Sequence, residues 1–310
     1  MGGHGIVRSM PLTRISSSLT GLPPDWATRL KTGQLGAAWM LVAAFFFALM
    51  ASCVKLGAVH HGAVELVFWR TLFGMVSLGA VAGVRRQSLL TPNWWVQVKR
   101  GLFGYVSLVC YFSAMTELSI STAVTLNYSS SIFLALLSVL MLGERLTPKL
   151  LLSLGLGLVG VALLLRPSIG AGQWQSGMIG LGSGLMAAFA YLHVRELGQL
   201  GEPDWRTVFW FTGLSTICGG VWLLLSGGFR LPTAESVWPL LGMGITATLA
   251  QLAMTRAYSQ GDKLVASALA YCTVAFTALA GAVLFGDRLD LPAVAAIVLI
   301  VVSGLIAARR

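Results

Sequence analysis

The sequence predicts an all-α integral membrane protein in which ten transmembrane helices form two inverted five-helix repeats. Three observations lead to this fold class: the composition, a series of ten apolar stretches, and a short motif that occurs twice. Of the 310 residues, 56% are hydrophobic and only 10% are charged, and the mean hydropathy is +0.80. An ordinary soluble domain has about 25% charged residues. So few charges cannot cover this much apolar surface in water, which excludes a soluble enzyme, a fibrous protein and a disordered chain.

The beginning of the chain differs from the rest. Residues 1–33 are rich in Ser, Gly, Pro and Arg, and they contain no apolar segment of the kind that a signal peptide needs. We expect residues 1–33 to form a cytoplasmic N-terminal tail. Residues 34–170 are expected to form the first five-helix repeat, and residues 171–310 the second.

Ten apolar stretches follow this tail. A membrane helix needs about 20 mostly apolar residues, and the gaps between these stretches are too short to hold a soluble domain. The predicted spans are residues 35–57, 63–84, 99–117, 120–142, 148–165, 177–195, 206–226, 236–257, 264–285 and 291–308.

The basic residues sort into alternate gaps. Sixteen Lys and Arg residues lie in the tail and one set of gaps, whereas the other set holds only Lys55, Arg166, Arg230 and Arg288. By the positive-inside rule, this bias predicts a multi-pass protein of a bacterial-type inner membrane with both termini in the cytoplasm. The same rule explains the net charge of +10, so no nucleic-acid partner is expected.

A four-residue motif reveals an internal repeat. Gly143-Glu144-Arg145-Leu146 follows the fourth span, and Gly286-Asp287-Arg288-Leu289 follows the ninth span 143 residues later. At the same offset, Tyr128 corresponds to Tyr271. Because each unit has an odd number of spans, the second unit must enter the membrane from the opposite side. Inverted repeats of this kind are common in secondary transporters.

With these motifs the chain resembles the drug/metabolite transporter superfamily, in its ten-helix EamA-type branch. The resemblance is carried by Phe133–Leu146 and Phe276–Leu289, together with Val54–Gly57 and Phe68–Arg70. It covers essentially residues 35–308. Within the superfamily the chain is most similar to the YddG-type exporters of aromatic and other neutral amino acids.

The resemblance implies export of small metabolites without a cofactor, and a central cavity from which the fifth and tenth spans stand apart. Those two spans are nearly featureless Leu/Val/Ala/Gly helices, which suits a scaffold or a contact between the copies of a homodimer. The family often has a proline about thirteen residues before the acidic residue of each motif. This chain has Ser131 and Val274 there, so the sequence provides no basis for a kink in the fourth and ninth spans.

Polar groups inside spans mark the candidate substrate site, because such groups are costly in a membrane and are usually functional. The densest polar run lies near the middle of the fourth span, and a site at the repeat interface would also draw on the ninth. The alternative for these side chains is hydrogen bonding between helices. The predicted substrate-binding residues are Asn127, Tyr128, Tyr271, Tyr111, Gln251, Phe46 and Met50.

Other intramembrane residues have two interpretations each. Tyr105, Tyr191 and Tyr258 either line the substrate site or serve as interfacial aromatic anchors, which are common near span ends. Arg70 lies seven residues into the second span. It either pairs with Glu65 and locks a loop, or binds the carboxylate of a substrate.

The motifs also limit the mechanism. The chain has no GxxxxGK[ST] loop, which excludes ATP-driven transport by this chain. The acidic residues lie at or near span ends, so ion coupling through a buried carboxylate is not evident, and facilitated export of amino acids by alternating access is the leading hypothesis. The alternatives are a proton-coupled exporter and an exporter of drugs or other metabolites. An intramembrane enzyme, a channel and a metal site are disfavoured, because their motifs are missing from the sequence.

Overall fold

A computed structural model describes residues 25–118, 120–166, 172–228, 230–286 and 289–309. These residues are almost entirely helical. The helices are α1 (Asp25–Gly57), α2 (Ala63–Val84), α3 (Trp94–Glu117), α4 (Ile120–Tyr128), α5 (Ser130–Leu142), α6 (Pro148–Leu165), α7 (Trp174–Gln199), α8 (Asp204–Ser226), α9 (Val237–Gln260), α10 (Lys263–Ala270), α11 (Cys272–Phe285) and α12 (Leu291–Ala308). Helix α1 begins inside the predicted tail, of which residues 1–24 lie outside the described residues, as do Asp287 and Arg288 of the second motif.

The helices correspond to the ten predicted spans. Helices α4 and α5 are two parts of one span, and so are α10 and α11. Within the described residues, nine of the resulting units are long and apolar enough to cross a membrane. The unit that falls short is α3, which has 24 residues but carries Lys99 and Arg100 near its start. The all-helical membrane fold is therefore confirmed, and α3 is the least apolar of the predicted spans.

The two five-helix units interlock, and their contacts are related by exchange of the units. Helix α1 of the first unit packs on α9, α10 and α11, and the corresponding helix α7 of the second unit packs on α3, α4 and α5. Helix α2 packs on α8 and α9, and α8 packs on α3 in turn. Because the largest contacts join one unit to the other, the centre of the protein lies between the units.

Helices α6 and α12 are held together by a reciprocal pair of hydrogen bonds. The Ser153 hydroxyl donates to the Ser303 carbonyl oxygen at 2.8 Å, and the Ser303 hydroxyl donates to the Ser153 carbonyl oxygen at 2.8 Å. Gly160 lets the two helices approach closely, since a Cβ there would lie 2.8 Å from Cγ1 of Ile300. This pairing suits the scaffold expected of the fifth and tenth spans, and the homodimer stays a prediction.

The fourth and ninth spans are both interrupted near their middle. The first interruption lies at Ser129, between α4 and α5, and the second lies at Tyr271, between α10 and α11. The backbone tightens there: the Ser129 amide donates to the Leu126 carbonyl at 3.2 Å, three residues back, rather than four. The sequence provided no basis for these interruptions, because neither span has a proline at its middle.

Glycines on neighbouring helices make room for the two interruptions. A Cβ on Gly184 of α7 would lie 2.5 Å from the Ser129 hydroxyl oxygen and 3.0 Å from the Leu126 carbonyl oxygen. Likewise, Gly157 of α6 lies directly against the Tyr271 ring, leaving no space for a side chain. The interruptions are thus fitted to packing across helices, a cause that a proline-based prediction does not detect.

The connections between helices gather at two ends of the bundle. At one end, termed the basic end, Lys263 at the start of α10 pairs with Glu144 between α5 and α6, at 2.5 Å. Glu202, between α7 and α8, accepts a hydrogen bond at 2.9 Å from the side chain of Asn93, which precedes α3. These are the connections in which the sequence concentrates Lys and Arg.

At the opposite end, the connection before α2 meets the connection before α9. Glu65 Oε1 accepts a hydrogen bond from the Arg230 backbone amide at 2.5 Å, and Ser236 lies 3.0 Å from the His61 ring nitrogen Nε2. The connections therefore alternate between the two ends, as a chain that crosses back and forth requires. That the basic end faces the cytoplasm stays a prediction.

Candidate substrate site

Five of the six tyrosines meet where the two units face each other. Tyr128 and Tyr271 have ring centroids 6.0 Å apart and ring planes inclined by 47°. Tyr191 of α7 stacks on Tyr258 of α9, with centroids 4.4 Å apart. Tyr111 of α3 and Tyr191 both lie close enough to Tyr128 to interact electrostatically with its hydroxyl group. These five residues are termed the tyrosine cluster.

The partial exposure of three tyrosines in the cluster indicates a cavity between the two units. Tyr111, Tyr128 and Tyr191 are surrounded by protein, yet each keeps part of its surface accessible. A side chain deep in a bundle can be accessible only from a space inside it. Tyr258 and Tyr271 are 1% and 0% exposed, so they form the wall behind this space.

The structure decides between the two interpretations of Tyr191 and Tyr258. The sequence left each of them as either a cavity residue or an interfacial anchor, and the anchor interpretation is wrong for both. Helix α7 continues to Gln199, beyond the predicted end of its span, and this places Tyr191 well inside the helix. Tyr105, the sixth tyrosine, lies apart from the cluster beside Cys218.

The remaining predicted site residues take different positions. The Asn127 side-chain amide donates to the Ser183 hydroxyl of α7 at 3.0 Å, which is the hydrogen bonding between helices that the sequence left as an alternative. Gln251 of α9 is buried, with 5% exposure. Phe46 packs edge-on against Phe45, with centroids 5.6 Å apart, and so lies in an aromatic group of its own on α1.

Arg70 contacts a sulfur atom, and no described residue gives it an acidic partner. The Arg70 Nη1 atom donates to the Met50 sulfur at 3.7 Å. Met50 is one of the predicted substrate-binding residues, so Arg70 lies beside the predicted site. The Glu65 carboxylate instead accepts from the backbone amides of Gly62 and Arg230, at 2.9 Å and 2.5 Å. Among the described residues no carboxylate forms an ion pair with Arg70. The loop-locking Arg70–Glu65 pair is therefore wrong, and binding of a substrate carboxylate is the alternative left.

Arg100 is the residue that sequence reasoning missed. It was counted with the basic residues of a connection, yet it is only 2% exposed and its guanidinium lies 3.9 Å from the centroid of the Phe211 ring. Its Nε and Nη1 atoms have no hydrogen-bond partner within the described part of the chain. It is close enough to Arg70 and Tyr191 to interact with both electrostatically.

A signal for Arg100 was present in the spacing. Gln97, Arg100, Gly104 and Ser107 recur at helical intervals on one face of α3. A face of this kind on a membrane helix must turn inward, since lipid cannot satisfy polar side chains. Gln97 is 1% exposed, and neither of its side-chain amide atoms has a hydrogen-bond partner among the described residues.

A second space lies away from the tyrosine cluster. It is a groove of about 350 Å³ at the side of the bundle, between α2 and α9. Its walls include Leu72, Phe73, Val76, Leu240 and Leu241 and are almost wholly apolar. A groove without polar partners suits lipid acyl chains, and it offers little to a polar substrate.

Comparison with known proteins settles the family. The model of the EamA-like transporter family matches residues 34–166 and again residues 176–309, which together make up most of the chain. The chain belongs to the EamA-like transporter family. As a member, it is a small-molecule transporter of the membrane and not an enzyme.

Two relatives in the family have named substrates. The pseudopaline exporter CntI of Pseudomonas aeruginosa is 28% identical over 275 residues, covering 88% of this chain and 95% of that protein. A riboflavin transporter of Rhizobium johnstonii is 26% identical over 257 residues, covering 81% and 83%. A crystal structure with a TM-score of 0.78 and 20% identity, covering 88% of this chain and 98% of that one, shares the fold.

Proposed function

We propose that this transporter exports small carboxylate-bearing metabolites, aromatic and other neutral amino acids being the first class to test. The observation that carries the proposal is the pairing of Tyr128 with Tyr271 near Arg100, which forms no ion pair with any described residue. Aromatic faces bind apolar and ring-bearing groups, and a guanidinium binds carboxylate through charge-assisted hydrogen bonds. Drugs and other metabolites are the alternative substrates.

Alternating access is the proposed mechanism. Each unit contributes one interrupted helix to the centre, and each interruption is adjacent to a member of the tyrosine cluster. Discontinuous helices at corresponding positions of two repeats are typical of transporter binding sites. Rocking of one unit against the other about this centre would open the cavity to each end in turn.

We propose that export is facilitated, so that the gradient of the metabolite itself drives transport and no ion gradient is needed. Every described acidic residue lies in a connection or in the first or last turn of a helix, so no described carboxylate is placed to carry a proton through the cavity. The proton-coupled alternative would have to use the tyrosines. Export also requires the proposed orientation, with the basic end and both termini in the cytoplasm of a bacterial-type cell.

The test is counterflow in proteoliposomes made with the purified protein. Labelled phenylalanine, threonine and methionine are offered with and without an imposed pH gradient. Saturable counterflow without the gradient is the expected result, and flux only with the gradient would establish proton coupling instead. Absence of flux for all three amino acids would overturn the amino-acid proposal and direct the search to other metabolites.

A further inference from the structure

The bundle contains two arginines, Arg70 and Arg100, that form no ion pair within the described part of the chain. Arg70 of α2 rests against the Met50 sulfur, and Arg100 of α3 rests on the Phe211 ring. Arginine is always protonated in proteins. Burying a charge without an ionic partner is costly, and two like charges close together raise that cost.

Several acidic side chains form ion pairs at the two ends of the bundle, away from these arginines. Glu144 pairs with Lys263 and Glu202 pairs with Arg206 at the basic end, while Asp290 pairs with Arg166 at the opposite end. Neither interior arginine forms an ion pair with any described residue. Intramembrane cations of this kind are usually kept for a function, and the function must involve an anion that comes from outside the chain.

The two arginines are close enough to repel each other electrostatically. Arg100 interacts electrostatically with both Arg70 and Tyr191, and Tyr191 lines the cavity with Tyr128. Gln97, one turn before Arg100, is buried with its amide oxygen and nitrogen both unpartnered among the described residues. Charged donors therefore reach the same space from α2 and α3, and an unused amide group lies beside the second of them.

We propose that Arg70 and Arg100 form a two-part anion site, so that the preferred substrate is an organic dianion with one carboxylate for each guanidinium. The inference rests on the proposed function, because it concerns the substrate of the same cavity. It also narrows that function. An amino acid brings one carboxylate together with an ammonium group, which two cations repel, whereas an aromatic dicarboxylate offers a ring to the tyrosine cluster and two charges to the arginines.

A matched set of probes tests the substrate class. Phenylalanine, phenyllactate and phenylsuccinate share a phenyl ring and carry, in turn, a carboxylate with an ammonium, one carboxylate, and two carboxylates. Wild-type protein is expected to bind phenylsuccinate roughly tenfold or more tightly than phenyllactate, since a charge-assisted hydrogen bond is worth about 1.5–3 kcal/mol. Arg100→Gln is expected to abolish this preference, because only one guanidinium then remains to bind a carboxylate.

A control variant shows that the effect belongs to Arg100. Arg256 also places its guanidinium over an aromatic ring, 4.7 Å from the Trp39 centroid, but it is exposed. Arg256→Gln should retain the preference for phenylsuccinate. Arg100→Lys keeps the charge but loses the forked geometry, and should retain part of the preference.

Thermal stability without substrate separates a binding role from a structural one. If the Arg100 charge is compensated only when a substrate anion binds, Arg100→Gln removes an uncompensated buried charge from the free protein. The Tm of the variant then stays equal to that of the wild type or rises. Sodium sulfate should raise the Tm of the wild type above that in sodium chloride of equal ionic strength, and should not do so in Arg100→Gln. A lower Tm in Arg100→Gln, with no sulfate effect in the wild type, would overturn the inference.

The outcomes distinguish the inference from the proposed function. Equal binding of phenyllactate and phenylsuccinate, unaffected by Arg100→Gln, would overturn the two-part anion site and leave carboxylate export standing. Binding of phenylsuccinate that depends on Arg100, without counterflow of any probe, would support the anion site and overturn the proposed export.

Discussion

Tyr128 and Tyr271 occupy corresponding positions in the two units, and their ring centroids are 6.0 Å apart at the centre of the protein. Tyr128 is the last residue of α4, and Tyr271 lies between α10 and α11, so each ring is adjacent to the interruption of its own span. The contact therefore joins the two irregular segments of the fold to each other. Movement of either unit must change the geometry of this pair.

Removal of the Tyr128 ring should impair transport. Tyr128→Ala deletes an aromatic surface from the cavity, and the loss of about 1.5–3 kcal/mol of contact should weaken substrate binding roughly tenfold or more. Tyr128→Phe keeps the ring and should retain most of the affinity for an aromatic substrate. The measurement is counterflow as a function of substrate concentration. Tyr105→Ala, outside the tyrosine cluster, is the control, and equal behaviour of Tyr105→Ala and Tyr128→Ala would contradict the site.

A methyl group on Gly184 should destabilise the protein. It would lie 2.5 Å from the Ser129 hydroxyl oxygen and against backbone atoms of the interruption, which cannot move aside cheaply. Overpacking of this kind costs about 1–3 kcal/mol. Gly182 lies on the same helix with nothing within 4 Å of an added Cβ. Thermal unfolding in detergent should therefore show a lower Tm for Gly184→Ala than for Gly182→Ala, and equal values would show that the interruption is not fitted to α7.

The Glu144–Lys263 ion pair should contribute to closure of the basic end. Lys263 is 6% exposed, so Glu144→Lys leaves a buried ammonium facing a like charge. We expect Glu144→Lys and Lys263→Glu each to slow counterflow, and the charge-exchanged double variant to recover much of the rate. Glu196→Gln, which removes an exposed partner of His193, is the control. Failure of the double variant to recover would mean that the pair acts through something other than its charges.

The Glu202 carboxylate should make stability depend on pH. Burial acts to raise the pKa of Glu202, but hydrogen bonds from Thr91, Asn93 and Arg206 outweigh it, and the pKa lies below the ordinary value of 4.5. A lowered pKa in the folded state contributes stability that is complete above the ordinary value and is lost as the pH falls through the lowered one.

Comparison of the wild type with Glu202→Gln checks this prediction. At pH 7 the variant should have the lower Tm, because Gln retains some of the hydrogen bonds but none of the charge. The difference should shrink as the pH is lowered below 4.5, where Glu202 itself becomes protonated. A difference that is constant with pH would assign the effect to packing.

The contact between Tyr128 and Tyr271 could be predicted because it follows from the positions of the two repeats in the sequence. The offset of 143 between the two motifs equals the offset between Tyr128 and Tyr271, and an inverted repeat brings corresponding segments together at its centre. The same argument did not extend to Tyr191 and Tyr258. Their stacking depends on how far α7 and α9 continue past their apolar stretches, and apolarity does not mark that boundary.

The amino-acid sequence alone was enough to predict a membrane protein with ten spans in two related units. These conclusions follow from composition and order, because a bilayer selects each span by its own apolarity and length. Three features became visible only in the folded structure. Arg100 lies inside the bundle, Arg70 forms no ion pair with Glu65, and two spans are interrupted without a proline. Those features depend on which face of each helix meets its neighbours, and that choice is made by packing between segments far apart in the chain.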